Sequence, residues 1–442
     1  MTINQVHGAG LNYYLIAFTE NGDERDDDPD APNGRLSELA LDVLEREPIT
    51  DVFLMSHGWK GDIPAAEEQY QRWITAMSQC SQDMQRVRQE RPGFKPLLIG
   101  LHWPSLPFGE EDFAVSMPAF DSPDQDPIKI MIDHAAATIV DTPRARQALQ
   151  VIFTAAAQDI QPDKLPENVV KAYKVLNEET GLDSNGASGA PGDDREDFDP
   201  ERTYQNALQD EAVSFGMPGF GGLLAPLQQL SFWKMKKRAC QFGERGAAKL
   251  LHDLQKKVGS ERDVRFHLMG HSLGSIVVSA AVAGTGQGNP PAPVHSLFLV
   301  QGALSLWSYC SDIPFAPGTP GYFHAVVRDK KVTGPIVTTQ SEHDGAVGRV
   351  YPLAAGIKRQ IDYAPGELPK YGAIGAFGTH GPGIDAQFLA MLPADEDYHF
   401  SNGNIYNLNG SEFICEGSGI SGAHSDIAKP EVAHAFWSAV VA

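Results

Sequence analysis

The sequence predicts an α/β protein, in which buried strands alternate with amphipathic helices. The clearest observation is the stretch RFHLMGHSLGSIVVSAAVA at 265–283, where an apolar strand pattern passes through a glycine-containing turn into an apolar run of small residues. This order is typical of a strand, a tight turn and a helix. Strand and helix patterns alternate on both sides of this stretch, but the alternation is lost between residues 106 and 229. We therefore expect two α/β parts separated by an insertion.

The composition supports a large core and excludes some classes of partner. Apolar residues make up 42% of the 442 residues, and the formal net charge is −22. This excess of negative charge argues against binding to nucleic acid or to an anionic membrane surface. The four cysteines are widely separated and show no spacing typical of a zinc site, so we expect free buried thiols and no metal.

The N-terminal segment lacks the basic and apolar regions of a secretory signal, and no apolar run approaches the roughly 18 residues of a membrane-spanning helix. We therefore expect no integral membrane span. A cytoplasmic location is the default, and export by a signal-independent route stays open. The oligomeric state is unknown from the sequence.

Residues 1–105 contain the first α/β part. Leu11–Phe18 is predicted to be the opening strand, followed by an exposed acidic loop, and Leu36–Arg46 has the period of a helix. The pattern then predicts a buried strand, one long amphipathic helix and another strand, at Thr50–Met55, Ala65–Arg91 and Pro96–Leu101.

Residues 106–229 form the insertion, which we expect to lie over the carboxyl edge of the sheet as a cap or lid. It contains helical patterns at Pro143–Asp159 and Val169–Leu176, whereas residues 183–199 are predicted to be a mobile surface loop. Six side chains could line an acyl pocket or simply hold the cap together. They are Phe108, Phe113, Phe120, Phe215, Met217 and Phe220.

Residues 230–442 contain the second α/β part. Leu230–Val258 is predicted to be a long amphipathic helix, with the basic cluster at 234–238 on a solvated face. Three strands and a last helix follow, at Val294–Leu304, Gly334–Thr339, Asn404–Ile414 and Pro430–Val441. Residues 352–398 form a second insertion, expected to make another wall of the pocket.

The turn Gly270-His271-Ser272-Leu273-Gly274 matches the pattern G-x-S-x-G. In such a turn the serine is strained and exposed at the end of a strand, and both glycines are needed because a Cβ would collide with the neighbouring strand or helix. Ser272 is therefore the candidate nucleophile, with the N–H of Leu273 facing any charge that develops on a substrate carbonyl oxygen. A purely structural turn is the alternative.

With this turn the chain resembles the α/β-hydrolase superfamily, specifically its lipase and esterase members that carry G-H-S-L-G. The resemblance implies an eight-stranded, mostly parallel sheet flanked by helices, and a triad in the chain order serine, acid, histidine. Ser56-His57-Gly58-Trp59 and Trp103-Pro104-Ser105 are similar to segments of bacterial members with H-G-Y-N, S-W-P-S and A-H-S-M-G. The match is partial, because Trp59-Lys60 replaces Tyr-Asn and His102 replaces Ser. It covers residues 50–105 and 240–345.

The resemblance also suggests the other site residues. A His-Gly motif after the third strand of the family carries the second oxyanion donor, which here would be the N–H of Trp59, with Gly58 allowing the approach and His57 bonded to the backbone. The triad acid follows a later strand of the sheet, where Asp344 is preferred to Glu342, whereas Asp329 precedes that strand.

The triad histidine must come after the acid. His424 stands on a glycine-rich loop before the last helix, where the fold places its histidine, and His380 is the competitor. His434 lies inside the predicted helix and is expected to be structural.

The resemblance implies a serine carboxylic-ester hydrolase without metal or cofactor, acting on a small-molecule acyl ester or lipid. Thioesterases, amidases and acyltransferases use the same triad, and Ser272 in place of Asp disfavours epoxide hydrolase and dehalogenase chemistry. A phospholipase-type antibacterial effector and a non-catalytic α/β-hydrolase scaffold are the alternatives. The expected organisation is a core in two halves, 1–105 and 230–442, with a cap at 106–229.

Overall fold

The computed structural model describes residues 3–6, 10–59, 62–105, 126–158, 162–182, 189–209, 221–259, 261–284, 290, 292–351, 368–418 and 421–442. Its centre is a nine-stranded sheet in which only the first pair of strands is antiparallel. Across the sheet the order is β1 (Ile3–Val6), β2 (Leu11–Ala17), β4 (Pro96–His102), β3 (Asp51–Ser56), β5 (Arg265–His271), β6 (Ser296–Val300), β7 (Ile336–Gln340), β9 (Ile405–Asn409) and β8 (Ala386–Ala390).

Helices cover both faces of this sheet. In chain order they are α1 (Leu36–Arg46), α2 (Ile63–Gln79), α3 (Ser81–Glu90), α4 (Pro127–Thr138), α5 (Pro143–Ala156), α6 (Glu167–Thr180), α7 (Pro200–Gln209), α8 (Ala225–Phe242), α9 (Ala248–Val258), α10 (Gly274–Ala283), α11 (His324–Arg328), α12 (Ile374–Phe377) and α13 (Pro430–Val441). The predicted α/β class is therefore confirmed, with a mostly parallel sheet flanked by helices. The described residues contain nine strands, whereas the resemblance implied eight.

The central strands are buried on both faces because their side chains alternate between two apolar clusters. Val52 and Leu54 of β3 pack in the cluster that includes residues of α1, α8, α9 and α10. Phe53 and Met55 pack in the cluster that includes residues of α2, α3 and α13. A continuous apolar run in β3 is thus the sequence signature of a strand between two helical layers.

A third apolar cluster holds the insertion together. It includes buried residues of α4 to α7, and it continues to Leu227 and Leu230 of α8. Local sequence starts two of these helices: the side chains of Asp126 and Thr142 accept hydrogen bonds from backbone N–H groups in the first turn, and a proline follows each.

The helix predictions were accurate at both ends of the chain and less so between them. Leu36–Arg46 and Pro430–Val441 have the predicted bounds. The predicted helix over 65–91 is two helices, because the backbone turns at Cys80. The predicted strand at Leu11–Phe18 is the second strand of the sheet and not the first, since Ile3–Val6 pairs with it.

The helix predicted over 230–258 begins earlier, at Ala225, and contains a π-helical turn at Gly243–Ala247. A Cβ on Gly243 would lie 2.6 Å from the carbonyl oxygen of Val277 in α10. Glycine at this position therefore allows the widened turn to pack directly against the backbone of the helix that follows Ser272.

Two predictions about surface position were wrong. The cluster at 234–238 is not a solvated face, because Lys236 is fully buried and its Nζ lies 2.7 and 2.8 Å from the two carboxylate oxygens of Asp194. Asp194 and Arg195 are buried too, so the described part of the predicted surface loop is anchored in the protein. Burial lowers the pKa of Lys236 to about 8, although Asp194 opposes that shift.

The remaining structural predictions have mixed outcomes. Cys80, Cys240 and Cys310 are free and buried as expected, but Cys415 is exposed. The second insertion contributes β8, at one edge of the sheet, and its residues 352–367 lie outside the described part. Lys60 and the six predicted pocket or cap residues between Phe108 and Phe220 also lie outside it. Among the helices that the structure describes, none is both long and apolar enough to cross a membrane.

Candidate active site

The candidate site lies where neighbouring strands of the sheet send their connections in opposite directions. The chain leaves β3 toward β4 on one side, and it leaves the adjacent β5 toward β6 on the other. Beyond the carboxyl ends of the strands a crevice forms at such a point, and ligands of open α/β sheets bind there. The segments that follow β3 and β5 carry His57, Gly58 and Ser272, which the topology therefore brings together.

Ser272 occupies a strained turn at the end of β5. Its φ of 55° lies in the left-handed region that non-glycine residues rarely adopt, and the residue is buried. A Cβ on Gly270 would lie 2.4 Å from the carbonyl oxygen of Gly274, and a Cβ on Gly274 would lie 2.2 Å from that of Ser56. The two glycines thus allow the turn to pack against α10 and β3, as the sequence pattern predicts.

Two hydrogen bonds connect Ser272, His424 and Asp344. His424 Nε2 lies 2.8 Å from Ser272 Oγ, and His424 Nδ1 lies 2.7 Å from Oδ2 of Asp344. An ionised carboxylate only accepts hydrogen bonds, so the proton of a neutral His424 belongs on Nδ1. Nε2 then presents its lone pair to the Ser272 hydroxyl, which is the arrangement that a general base requires.

Backbone contacts fix His424 relative to Asp344, although the two residues are 80 positions apart. Gly345 N–H donates to Ser421 O at 3.1 Å, and Ala423 N–H donates to His343 O at 2.9 Å. Gly422, between these contacts, has a φ of 53° and leaves no room for a Cβ, which would lie 2.3 Å from His343 O. The glycines of the histidine loop therefore permit its close approach to the acid loop.

Asp344 is buried and its carboxylate accepts further hydrogen bonds. Val347 N–H donates to Oδ1 at 3.1 Å, and Gln301 Nε2 donates to Oδ2 at 2.7 Å. Sequence reasoning missed Gln301. Its signal was weak but present: it is a polar residue directly after the buried strand β6, at the same edge of the sheet as Ser272.

Gly58 touches the candidate nucleophile. A Cβ on Gly58 would lie 2.6 Å from Ser272 Cβ and 3.3 Å from Ser272 Oγ. The carbonyl oxygen of Gly58 is 2.8 Å from His57 Nδ1 and accepts from Ser105 Oγ at 3.1 Å. Since this carbonyl and the N–H of Trp59 belong to one planar peptide and point in opposite directions, the two contacts also orient the Trp59 N–H.

Two backbone donors near Ser272 lack a partner within the part of the chain that the structure describes. Among the described residues, the N–H groups of Leu273 and Trp59 have no hydrogen-bond partner. An unpaired N–H in a buried position is costly and therefore uncommon. Leu273 is fully buried and directly follows Ser272, so its N–H is placed to donate to an atom bound beside Ser272.

His57 is a buried structural histidine in this geometry. Besides its contact with Gly58, its Nε2 accepts from the N–H of Trp103 at 3.4 Å, and its ring stacks on Trp103 and His102. Burial, together with the nearby His102, lowers the pKa of His57 to about 3. Burial and the charge of Arg25 likewise lower the pKa of His102 to about 4, so both rings are neutral near pH 7.

His271 links the serine turn to the histidine loop. Gln69 Nε2 donates to His271 Nδ1 at 2.9 Å, which assigns the ring proton to Nε2 in the neutral form. His271 Nε2 then donates to the carbonyl oxygen of His424 at 2.9 Å, and the two rings lie 4.8 Å apart. His271, which precedes Ser272, thereby holds the backbone of His424, whose ring faces Ser272.

The competing candidates lie away from Ser272. His380 Nε2 is 2.8 Å from the carbonyl oxygen of Phe377, and its ring lies beside Phe388. The Glu342 carboxylate is largely exposed, and Asp329 pairs with Arg328. His434, inside α13, is bonded to Asp83. The structure brings Ser272, His424 and Asp344 together and leaves these alternatives outside.

Comparison with models of protein families, with curated proteins and with solved structures finds no match for this chain. Within the described residues, no three metal-binding side chains are grouped as a metal site would require. A functional conclusion must therefore rest on the geometry around Ser272.

Proposed function

We propose that the protein is a serine hydrolase of the α/β-hydrolase superfamily that cleaves carboxylic esters through an acyl-enzyme. One observation carries the proposal: His424 lies within hydrogen-bond distance of both Ser272 Oγ and Asp344 Oδ2, in the chain order serine, acid, histidine. The strained turn at Ser272 and the mostly parallel sheet support it.

Acylation begins when Ser272 Oγ attacks the ester carbonyl carbon and His424 Nε2 takes the hydroxyl proton. Asp344 holds the ring in the required tautomer and stabilises the imidazolium that forms. The negative charge on the carbonyl oxygen is held by the N–H groups of Leu273 and Trp59. When the tetrahedral intermediate collapses, His424 returns the proton to the departing alcohol.

Deacylation repeats these steps with water as the nucleophile. His424 Nε2 takes a proton from the water, the resulting hydroxide attacks the acyl carbon, and Ser272 leaves with the proton that His424 returns. Every proton transfer uses the same nitrogen, so the chemistry needs only the three side chains and the two backbone donors.

The proposed substrate is a small-molecule acyl ester or lipid, and the proposed cap is the segment 106–229. The separate apolar cluster of α4 to α7 supports the idea of a cap on the sheet. The cluster continues to Leu230 of α8, and two residues further along this helix the ring of Phe232 lies 5.5 Å from the ring of Trp59. We therefore expect changes in the packing of the cap to alter the position of Trp59, whose N–H is a proposed oxyanion donor.

Hydrolysis of p-nitrophenyl esters from acetate to palmitate tests the proposal. Ser272→Ala and His424→Ala are expected to lower kcat by about 10⁴-fold or more, because each removes a member of a unit that acts together. His380→Ala is the matched control and is expected to keep the wild-type rate. Labelling of Ser272 by a fluorophosphonate probe reports on the machinery without an ester substrate.

The outcomes separate the parts of the proposal. Labelling of the wild type but not of His424→Ala, with no ester hydrolysed, would retain the triad and reject the ester class. Absence of labelling in the wild type would reject the serine hydrolase and favour a non-catalytic scaffold. Loss of activity in His380→Ala but not in His424→Ala would show that His380, and not His424, is the general base.

A further inference from the structure

Gln301 is a buried polar residue that the proposed mechanism does not yet use. It directly follows β6, has a φ of 46° and is fully buried. Left-handed backbone in a non-glycine residue persists only where its surroundings hold it. The contacts that hold Gln301 lead to two members of the proposed triad.

The side chain of Gln301 has one orientation. Thr339 Oγ1 accepts from the backbone N–H of Gln301 at 3.0 Å and donates to its side-chain Oε1 at 2.9 Å. The amide nitrogen of Gln301 therefore faces Asp344, and it donates to Oδ2 at 2.7 Å. This is the same carboxylate oxygen that His424 Nδ1 contacts.

The backbone around Gln301 is bonded to the nucleophile. Ser272 N–H donates to the carbonyl oxygen of Val300, and Ala303 N–H donates to that of Ser272, at 3.0 and 3.1 Å. Gly375 adds a contact to the acid side, because its N–H donates to Gly302 O and its carbonyl accepts from Ser341 N–H. One short segment thus contacts the serine through its backbone and the acid through a side chain.

We infer that Gln301 is a positioning residue of the triad: it holds the Asp344 carboxylate oriented toward His424, and it couples the acid to the serine turn. Its amide donates a hydrogen bond to the buried carboxylate, which fixes the position of Oδ2 without taking the proton of His424. This inference rests on the proposed function, because the role has meaning only if Ser272 is activated by His424.

Two substitutions test it by different physics. Gln301→Leu removes the donor at similar volume, and kcat is expected to fall about 10- to 100-fold with KM little changed, as for loss of a hydrogen bond to a charged group. Gln301→Glu places a second carboxyl group beside Asp344. The two carboxyl groups repel each other, which disturbs the orientation of Asp344 toward His424, so the pH–rate profile should differ from that of the wild type.

The readout is the second-order rate of fluorophosphonate labelling at Ser272 as a function of pH, together with ester hydrolysis. Gln340→Leu is the matched control one residue beyond Thr339, because within the described residues the side-chain oxygen of Gln340 has no hydrogen-bond partner. This variant is expected to keep the wild-type profile. Thr339→Val removes the group that orients Gln301 and should reproduce part of the Gln301→Leu loss.

Failure of the inference differs from failure of the function. A wild type that is labelled, with Gln301→Leu and Gln301→Glu labelled at the same rate and with the same pH profile, overturns the role of Gln301 alone. A wild type that is not labelled overturns the serine hydrolase and this role with it. If Gln301→Leu does not fold, the pH profiles of Gln301→Glu and Thr339→Val decide in its place.

Discussion

At Gly58 the space for a side chain is taken by the candidate nucleophile itself. The Cβ of an alanine there would lie 2.6 Å from Ser272 Cβ and 3.0 Å from the carbonyl oxygen of His271. Contacts under about 3.0 Å are relieved only by movement, and here the group that would have to move is the candidate nucleophile Ser272. The close approach of the β3 loop to the serine turn therefore requires glycine at position 58, as it does at position 274.

Gly58→Ala is expected to lower kcat/KM and the labelling rate of Ser272 by at least about 100-fold, since a displacement of this size misplaces the reacting atom. Gly222→Ala is the matched control, because a Cβ at Gly222 meets its nearest neighbour at an ordinary 3.4 Å. Thermal unfolding of both variants should show that the loss in Gly58→Ala is not a loss of fold. If Ser272 were labelled in Gly58→Ala at the wild-type rate, the β3 loop would have moved to make room for the Cβ without displacing Ser272.

Residues of the site could be predicted where the contacts that require them are made within a few positions in the chain. Ser272 and its glycines lie within five positions, and the turn they form follows from backbone sterics alone. Gln301 was missed, because its position after a buried strand is only a weak signal and its contact with Asp344 exists only in the folded sheet. A glutamine after an apolar strand has many possible surroundings, and nothing in its neighbours selects this one.

At the scale of elements, helix α8 differs most from what its sequence indicates. Its basic residues suggested a solvated face, yet the insertion packs against it and Lys236 is fully buried. Lys236 Nζ contacts Asp194 and Tyr351 and lies 4.5 Å from the ring centre of Trp233. The partner that explains Lys236 is 42 positions away, outside the reach of helical periodicity.

Lys236→Met is expected to destabilise the protein by about 3–5 kcal/mol, because it leaves Asp194 buried and uncompensated. Lys237→Met is the matched control on the same helix. Its Nζ lies 3.8 Å from Asp193 and the side chain is 29% exposed, so about 1 kcal/mol or less is expected. Denaturant unfolding measures both. Equal losses would contradict a special role for the buried pair.

At the scale of the whole molecule, a buried histidine connects the last helix to α3 and to the segment that carries Glu396. His434 Nδ1 lies 2.9 Å from both carboxylate oxygens of Asp83 in α3, and its Nε2 lies 2.6 Å from the carbonyl oxygen of Glu396. Burial lowers the pKa of His434, but Asp83 and Glu396, helped by the charge of Asp397, raise it by more. The net pKa is above the ordinary value of 6.5.

A raised pKa means that the folded state holds the proton of His434 more tightly than the unfolded chain. This contribution to stability is fully present below pH 6.5 and is lost as the pH rises through the folded-state pKa. The difference in Tm between the wild type and Asp83→Asn should therefore be largest below pH 6.5 and shrink at higher pH. Asp42→Asn, at an exposed pair with Arg46, should show a small difference at every pH. A Tm difference between the wild type and Asp83→Asn that grows as the pH rises would contradict this account.

The overall architecture was more predictable than its details. The bounds of α1 and α13 follow from helical periodicity, and the buried strands follow from short apolar runs. The break at Cys80 and the π-helical turn at Gly243 did not follow, because each depends on what packs beside it. Local pattern predicts which elements exist, and tertiary contact decides where they bend.

The pairing of β3 with β5 also has a consequence for synthesis. Asp51 at the start of β3 and His267 in β5 are 216 positions apart, yet their side chains touch. At ribosomal rates of about 5–20 residues per second, on the order of 10 to 40 s separate the appearance of these two residues. During that interval β4 is the only one of the two neighbours of β3 that has been synthesised. Helices α4 to α7, which share an apolar cluster, are synthesised in the same interval. The crevice beside Ser272 can therefore form only after the helices of the insertion have been synthesised.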